Sequence, residues 1–454
     1  MLVRALGSNL IESIPLLQKP ADAKEKKKVW VEAYGCSASM ADSEMICGTL
    51  KGAGYDIAES PSEAALSIIV TCSVKDATEH RMLSRIKSLA ESGRPLVIAG
   101  CLPKADRARI EAASPTASLL GPHSIDRVAD VASSALSGAK LVALEDSPLD
   151  KINISRVRVN PVVSIVEIAS GCLSECTFCQ TKLAKGWLRS YRIGDIMRQI
   201  KSDVKSGCKE VWLTSTDNGC YGKDIGSDLP ELLQACCSIE GSFRIRVGMM
   251  NPMYLPGMLS RLADLFRQND KLYKFLHLPV ESGSDKILRK MKRGHTSKIF
   301  QEAVKIIRKR IPEMTISTDV IVGFPSETEE DFDATLRVIS DSEPDTVNIS
   351  RYGARPGTES AGWKEQRVIS QVAKARSERL HALAKEIATK RNTIWQGWEG
   401  EVTIDEIRKG TPQGRNYAYK PVMLPGNTQI SIGDSKRVKV FDFSNFSLKA
   451  RAIL

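Results

Sequence analysis

Between residues 162 and 352 the chain repeats one unit six times: a short apolar run, then a polar or glycine-rich turn, then a longer stretch with helical spacing. The apolar runs cover 162–169, 210–215, 244–250, 274–280, 315–324 and 346–352. Strands separated by helices pair in parallel, so six such units predict an α/β fold built on a partial or full (β/α) barrel. The segments after the runs are Gly171-Cys172, Thr216-Asp217-Asn218-Gly219, Asn251-Pro252, Glu281-Ser282-Gly283-Ser284, Pro325-Ser326-Glu327 and Ala354-Arg355-Pro356-Gly357. Polar and glycine-rich residues therefore gather at the strand ends where barrel enzymes keep their active sites.

Upstream, residues 29–138 carry a smaller version of the same alternation. Apolar runs at 29–35, 66–72 and 95–101 precede helical stretches at 41–51, 77–92 and 103–112, which reads as a small parallel α/β domain. The three runs end alike, in Tyr34-Gly35-Cys36, Val70-Thr71-Cys72 and Ala99-Gly100-Cys101. Ligands of open parallel sheets collect at the carboxyl ends of strands, so Cys36, Cys72 and Cys101 are expected to share one site. Three buried core thiols are the plain alternative, although burial alone gives no reason to choose strand ends.

Residues 139–160 lose periodicity and carry mixed charge, as a linker does, and 161–390 then form the barrel domain. A long helical stretch at 365–393 leads into residues 391–454, where short alternating runs are separated by Gly410, Gly414, Gly426 and Gly433. That pattern suits a small antiparallel β-barrel resembling the oligonucleotide-binding fold. It carries ten Lys or Arg against six Asp or Glu, a net +4, which suits a phosphate backbone or, more plainly, a solvated surface. Residues 1–28 follow no long period and are expected to be a poorly ordered extension ending in the solvated run Lys24-Glu25-Lys26-Lys27-Lys28.

The 454 residues suffice for about three domains at roughly 150 residues each. The formal charge of +11 points to an acidic partner. No run approaches the roughly 18 to 20 apolar residues of a membrane span, and the N-terminus lacks a signal-peptide pattern, so a cytoplasmic location without membrane attachment is expected. In that compartment eleven cysteines read as metal ligands, catalytic groups or buried thiols, not as a disulfide framework.

The most specific motif is Cys172-Leu-Ser-Glu-Cys176-Thr-Phe-Cys179, directly after the first barrel strand. Three thiolates on one tight loop can hold three irons of a [4Fe-4S] cluster and leave the fourth open. An open iron can chelate the amino and carboxylate groups of S-adenosylmethionine (SAM) and reduce its sulfonium, giving a 5'-deoxyadenosyl radical. A structural zinc site would want a fourth ligand, and no further Cys or His lies nearby in sequence.

The triplet and its continuation Thr181-Lys182-Leu183-Ala184-Lys185-Gly186 resemble the radical SAM methylthiotransferase family, and the resemblance covers about residues 29–454. It takes in the three N-terminal cysteines, Leu213-Thr-Ser-Thr-Asp-Asn-Gly-Cys-Tyr-Gly222, His277-Leu-Pro-Val-Glu-Ser-Gly-Ser284, Asp319-Val-Ile-Val-Gly-Phe-Pro325 and Arg355-Pro-Gly-Thr358. The C-terminal barrel is similar to the RNA-binding TRAM domain of these enzymes. Cys72-Ser-Val-Lys-Asp-Ala-Thr-Glu-His-Arg81 and Val247-Gly-Met-Met-Asn-Pro252 resemble the archaeal and eukaryotic branch. The resemblance implies conversion of N6-threonylcarbamoyladenosine at position 37, in the anticodon loop of tRNA, into its 2-methylthio derivative.

The resemblance further implies two [4Fe-4S] clusters, the second held by Cys36, Cys72 and Cys101 and presenting sulfur at its own open iron. One SAM would methylate that sulfur and another would supply the radical, with an electron donor and a sulfur source as further partners. Membrane-anchored members carry a hydrophobic C-terminal tail, and the sequence ends at Leu454 without one, so anchoring is not implied. The chain departs from the family pattern at Lys185, where arginine is usual, at Thr216 and Glu281, where glutamine is usual, and at Ser326, where glycine is usual. Glu281 brings a carboxylate where an amide is expected, which changes charge and hydrogen-bond donors.

Phe178 is placed to pack on bound SAM, and Thr216 and Asn218 to hold its amino group; a plain loop role is the alternative for each. Arg355 suits a phosphate or the substrate carboxylate, and equally a surface ion pair. Cys47, Cys236 and Cys237 fall on helical stretches and read as packing residues. Cys220 sits in an active-site loop but has no ligand spacing, and no role is assigned to it. Alternative activities are methylthiolation of isopentenyladenosine or of a ribosomal-protein aspartate. From another class, the alternative is a non-enzymatic iron-sulfur protein that binds RNA.

Overall fold

The computed structural model describes residues 27–73, 76–426 and 429–453. As far as residue 26, the expected N-terminal extension lies outside the described residues; Lys28 already opens a strand. The chain divides into two compact units, the first running to Val157 and including Leu183–Lys185.

The first unit is built on a six-stranded sheet in the order Asp56–Ile57, Lys28–Ala33, Leu66–Thr71, Leu96–Gly100, Ser118–Leu120, Val142–Ala143. Every pairing is parallel. Leu66–Thr71 and Leu96–Gly100 are buried along their whole length, as central strands of a parallel sheet covered on both faces are. Ile69, Met82, Ile86, Ile98, Leu102 and Leu119 pack together in the core. Strand order reverses between Lys28–Ala33 and Leu66–Thr71, and such a switch point opens a crevice at the strands' carboxyl ends.

Three of these strands are only two or three residues long, too short to leave a periodic signal. One of them, Val142–Ala143, lies in the stretch expected to be a linker. That stretch is fastened to the helix Ser37–Gly52. Lys151 Nζ donates to Asp42 Oδ1 at 2.6 Å with both side chains buried, and Val157 N donates to Glu44 O at 2.9 Å. A buried ion pair of this kind costs several kcal/mol to break from one side, roughly 3–5, because the remaining charge is stranded.

The second unit carries the six expected strands: Val163–Glu167, Glu210–Thr214, Arg244–Val247, Phe275–His277, Thr315–Val322 and Thr346–Arg351. They form two three-stranded parallel sheets joined by the parallel bridges Ile245↔Leu272 and Met249↔His277. Strand order follows chain order, so the assembly is an open, partial barrel. Amphipathic helices such as Ile193–Lys205 and Ser297–Arg310 cover it, the latter burying Phe300, Ala303, Val304 and Ile307.

After the helix Ser370–Asn392, five strands close a barrel: Glu399–Arg408, Thr411–Arg415, Pro421–Met423, Leu448–Ala452 and Ser435–Phe443. The expected antiparallel pairing holds at every contact except Pro421–Met423 with Leu448–Ala452, which is parallel. Val402, Ile404, Val422, Val438, Val440 and Leu448 fill its interior. Its turn at 416–420 reaches the larger barrel: the Tyr419 ring lies 4.9 Å from both Tyr273 and Phe275. Lys420 Nζ donates to Asp345 Oδ1 at 2.9 Å, and Asp345 also accepts from Arg308 at 2.8 Å and Arg391 at 3.4 Å. One buried carboxylate thus answers three cations and ties the two barrels together.

Candidate active site

In the first unit the sheet delivers the three expected cysteines to the crevice edge. Cys36 follows Lys28–Ala33 and begins the helix Ser37–Gly52, Cys72 follows Leu66–Thr71, and Cys101 follows Leu96–Gly100. Cys36 is exposed; Cys72 and Cys101 are buried. Gly35 has φ +115°, and a Cβ there would stand 2.2 Å from Cys72 Cβ, so glycine is what allows the two loops to meet. A hydrogen bond with Cys72 lowers the Cys36 thiol well below its ordinary range. Burial pushes Cys101 up to about 12, and the charge of Cys36 adds to the rise. Cys101 N donates to Thr71 O at 3.1 Å, while Thr71 Oγ1 donates to Ala99 O and accepts from Leu102 N, which fixes the third loop.

In the second unit the triplet loop is tied at both ends. Cys172 N donates to Gly186 O at 3.2 Å, and Gly171, at φ +72°, passes so close to Trp187 O that a Cβ would meet it at 1.9 Å. Thr177 N donates to Met291 O at 3.1 Å, Thr177 Oγ1 to Lys290 O at 3.0 Å, and Ser360 N to Thr177 O at 2.9 Å. Cys179 N donates to Cys176 O at 3.0 Å, and Cys179 begins the helix Gln180–Lys185. Burial raises Cys176 to about 11 and raises Cys179, so both thiols are protonated near neutrality without a metal.

Phe178 meets Phe324 edge to face at 6.2 Å, beside a core of Ile287, Met291 and Phe324. The ring therefore has a packing role of its own. On the neighbouring strand's loop, Ser215 Oγ, Thr216 Oγ1 and Asn218 Oδ1 are buried without a hydrogen-bond partner among the described residues. Asn218 is held by Nδ2, which donates to Met249 O at 3.0 Å. Buried polar atoms of this kind are completed by a water or by a ligand.

Arg293 had no signal in the sequence, because its partner Cys176 lies 117 residues away; Asp217, Glu281, Asp319 and Ser326 lie in the sequence motifs. Arg293, buried, donates from Nη1 to Cys176 Sγ at 3.4 Å and from Nη2 to Pro279 O at 3.2 Å. Glu281 sits 4.0 Å from Arg293 at φ +66°; burial lifts its carboxyl to about 7 against the pull of Arg293. Asp217 is buried and accepts from Gly219 N and Asn251 N. Cys220, which had no expected role, donates to Asp217 O at 3.1 Å, and its sulfur shares a neighbourhood of 4.8 Å with Cys172 and Asp217. Further along, Asp319 is held between His277 at 3.0 Å and Asn348 at 2.7 Å. Ser326, where glycine is usual, has φ +69°, and its hydroxyl is engaged by Lys290 and Gln366.

Three thiols on one loop match a cluster with an open iron, and buried oxygens without partners at the adjacent strand end match the amino and carboxylate groups of SAM.

Comparison with known proteins agrees with this architecture. The sequence model of the Radical SAM superfamily matches residues 166–339, and that of Uncharacterized protein family UPF0004 matches residues 28–121. A radical S-adenosylmethionine methyltransferase from Kitasatospora setae, TsrM, shares the fold at a TM-score of 0.52 with 11% identity, over 74% of each chain. Fold and sequence together thus define a radical SAM protein. A probable threonylcarbamoyladenosine tRNA methylthiotransferase of Pyrococcus horikoshii is 41% identical over 88% of this chain and 93% of its own. The threonylcarbamoyladenosine tRNA methylthiotransferase of Drosophila melanogaster is 35% identical over 93% of this chain and 77% of its own. The chain belongs to the threonylcarbamoyladenosine tRNA methylthiotransferase family. No helix among the described residues is long and apolar enough to cross a membrane.

Proposed function

We propose that this protein converts N6-threonylcarbamoyladenosine at position 37 of tRNA into its 2-methylthio derivative, in the cytoplasm, using two [4Fe-4S] clusters and SAM. Cys172, Cys176 and Cys179 hold the cluster that binds SAM, and Cys36, Cys72 and Cys101 hold the second. The observation that carries the reading is the pairing of a three-thiol loop with the partnerless oxygens of Ser215, Thr216 and Asn218 at the next strand end. When bound, cluster and SAM supply a radical able to act on C2 of adenine, a carbon with neither an acidic proton nor a leaving group.

The chain's own residues bind and orient. Thr216 and Asn218 take the amino group of SAM, Arg293 neutralises the thiolate of Cys176, and the Phe178–Phe324 contact anchors the loop to the barrel. Residues 29–138 carry the second cluster, 161–390 the radical site, and 391–454 the RNA-binding barrel. On that barrel Arg437, Lys439 and Arg451 are exposed, Arg451 lies 4.9 Å over the Phe441 ring, and Phe446 is 79% exposed. Cations interleaved with aromatic rings suit a nucleic-acid strand. An electron donor and a sulfur source complete the reaction.

Nucleoside mass spectrometry of tRNA from cells with and without the protein tests this reading. The 2-methylthio derivative of threonylcarbamoyladenosine is expected only when the protein is present; its equal abundance in both cells would overturn it.

A further inference from the structure

Trp187 lies one residue beyond the backbone bond that closes the triplet loop, yet its side chain is 65% exposed. Its ring is not loose. Lys182 Nζ sits 3.6 Å from the ring centroid and donates to Cys172 O, so one ammonium clamps the indole to the backbone of the proposed cluster loop. That cation lies over one ring face, and the residue as a whole stays largely exposed. Leu173, on the far side of the same backbone bond, is also exposed at 37%. A single exposed ring is ordinary on a protein surface; what sets this one apart is the ammonium that fixes it beside the proposed cluster loop.

We propose that Trp187 is a stacking platform for a base flanking the modified adenosine, with Lys182 meeting the adjoining phosphate. The inference rests on the proposed tRNA substrate. An enzyme that works on C2 of a base must take that base out of its stack, which unstacks its neighbours and leaves their faces without a partner. The adenosine has to reach the site beside Cys172, and exposed Trp187 lines the outer edge of the same loop, where a flanking nucleotide can meet it. The outer edge presents an aromatic face with a fixed positive charge, the combination that binds single-stranded nucleic acid without reading its sequence. A docking protein would find this clamped ring with only Leu173 and Leu183 exposed along the same stretch, well short of the apolar patch that protein interfaces need.

The test uses the cluster-loaded protein and a fluorescent anticodon stem-loop RNA carrying threonylcarbamoyladenosine. Trp187→Ala is expected to weaken binding by roughly tenfold, and Trp187→Phe to recover most of the loss, because stacking needs a flat ring and not indole in particular. Removing the base beside the modified adenosine should weaken binding to the wild type but not to Trp187→Ala. Iron content and melting temperature check that the variants remain folded. Equal affinity of wild type and Trp187→Ala, or an equal loss in both from the missing base, would overturn the platform. Unchanged RNA binding in Trp187→Ala together with lost reduction by an electron-transfer protein would assign the ring to a protein partner instead and also overturn it. If the wild type makes no methylthio product on this RNA, the functional reading fails, whatever Trp187 does.

Discussion

Arg293 reaches Cys176 across 117 residues of sequence and donates to its sulfur at 3.4 Å from a buried position. A guanidinium is always charged, and here it also holds Pro279 O and faces the Glu281 carboxyl. Hydrogen bonds and charge around ligand sulfurs set the reduction potential of an iron-sulfur cluster.

Arg293→Gln should therefore make the triplet cluster harder to reduce, because a reduced cluster carries one more negative charge to be stabilised. We expect a shift of several tens of millivolts to more negative potential, where about 59 mV is tenfold for one electron. A redox titration followed by electron paramagnetic resonance reads it, and an unchanged potential would remove Arg293 from the account.

Asp405 gives a prediction about pH. Its side chain lies in the C-terminal barrel, 3.7 Å from Arg415, and burial with the nearby charge of Glu210 lifts its carboxyl to about 7 despite that arginine. The folded state thus holds a proton that the unfolded chain releases near the ordinary aspartate value of 3.8. Its stabilising contribution is complete below that value and is lost as pH rises through about 7. Asp405→Asn should match the wild type near pH 4 and melt a few degrees higher above pH 7, for a gain of about 1–3 kcal/mol. A constant difference across the range would contradict this.

For the RNA-binding surface, simple truncation is a poor probe, because it would expose Tyr273 and Phe275 and take Lys420 from the buried Asp345 carboxylate. Replacing exposed Arg437, Lys439 and Arg451 together with Ala avoids this. The variant should bind tRNA more weakly and less steeply with salt, the logarithmic slope falling by about 2. An unchanged slope would make these charges mere solubilising groups.

The catalytic strands were legible because each carries a run of apolar residues stopped by glycine or a polar turn, and the triplet because its spacing is local. The same logic found the strand ends at Cys36, Cys72 and Cys101. It did not find Asp56–Ile57, Ser118–Leu120 or Val142–Ala143, since strands this short are held by backbone pairing with a neighbour already in place. Nor did it find Arg293 or Asn348, or the pairing of Glu281 with Arg293, because these contacts are set by tertiary packing. The cations counted as RNA-facing in the C-terminal barrel illustrate the limit. Arg391, Arg415 and Lys420 are spent on Asp345 and Asp405, and only burial distinguishes them from Arg437 or Lys439.

On the proposed reading, two groups of three cysteines serve two different steps. Replacing Cys36, Cys72 and Cys101 with Ala should remove about half the iron while leaving the triplet at Cys172, Cys176 and Cys179 loaded. With a chemical reductant the variant should still cleave SAM to 5'-deoxyadenosine, and tRNA should gain no methylthio group. Iron, 5'-deoxyadenosine and methylthiolated nucleoside measured on one preparation decide the matter: half the iron with cleavage but no product is the predicted result, and methylthio product from the triple variant would contradict it.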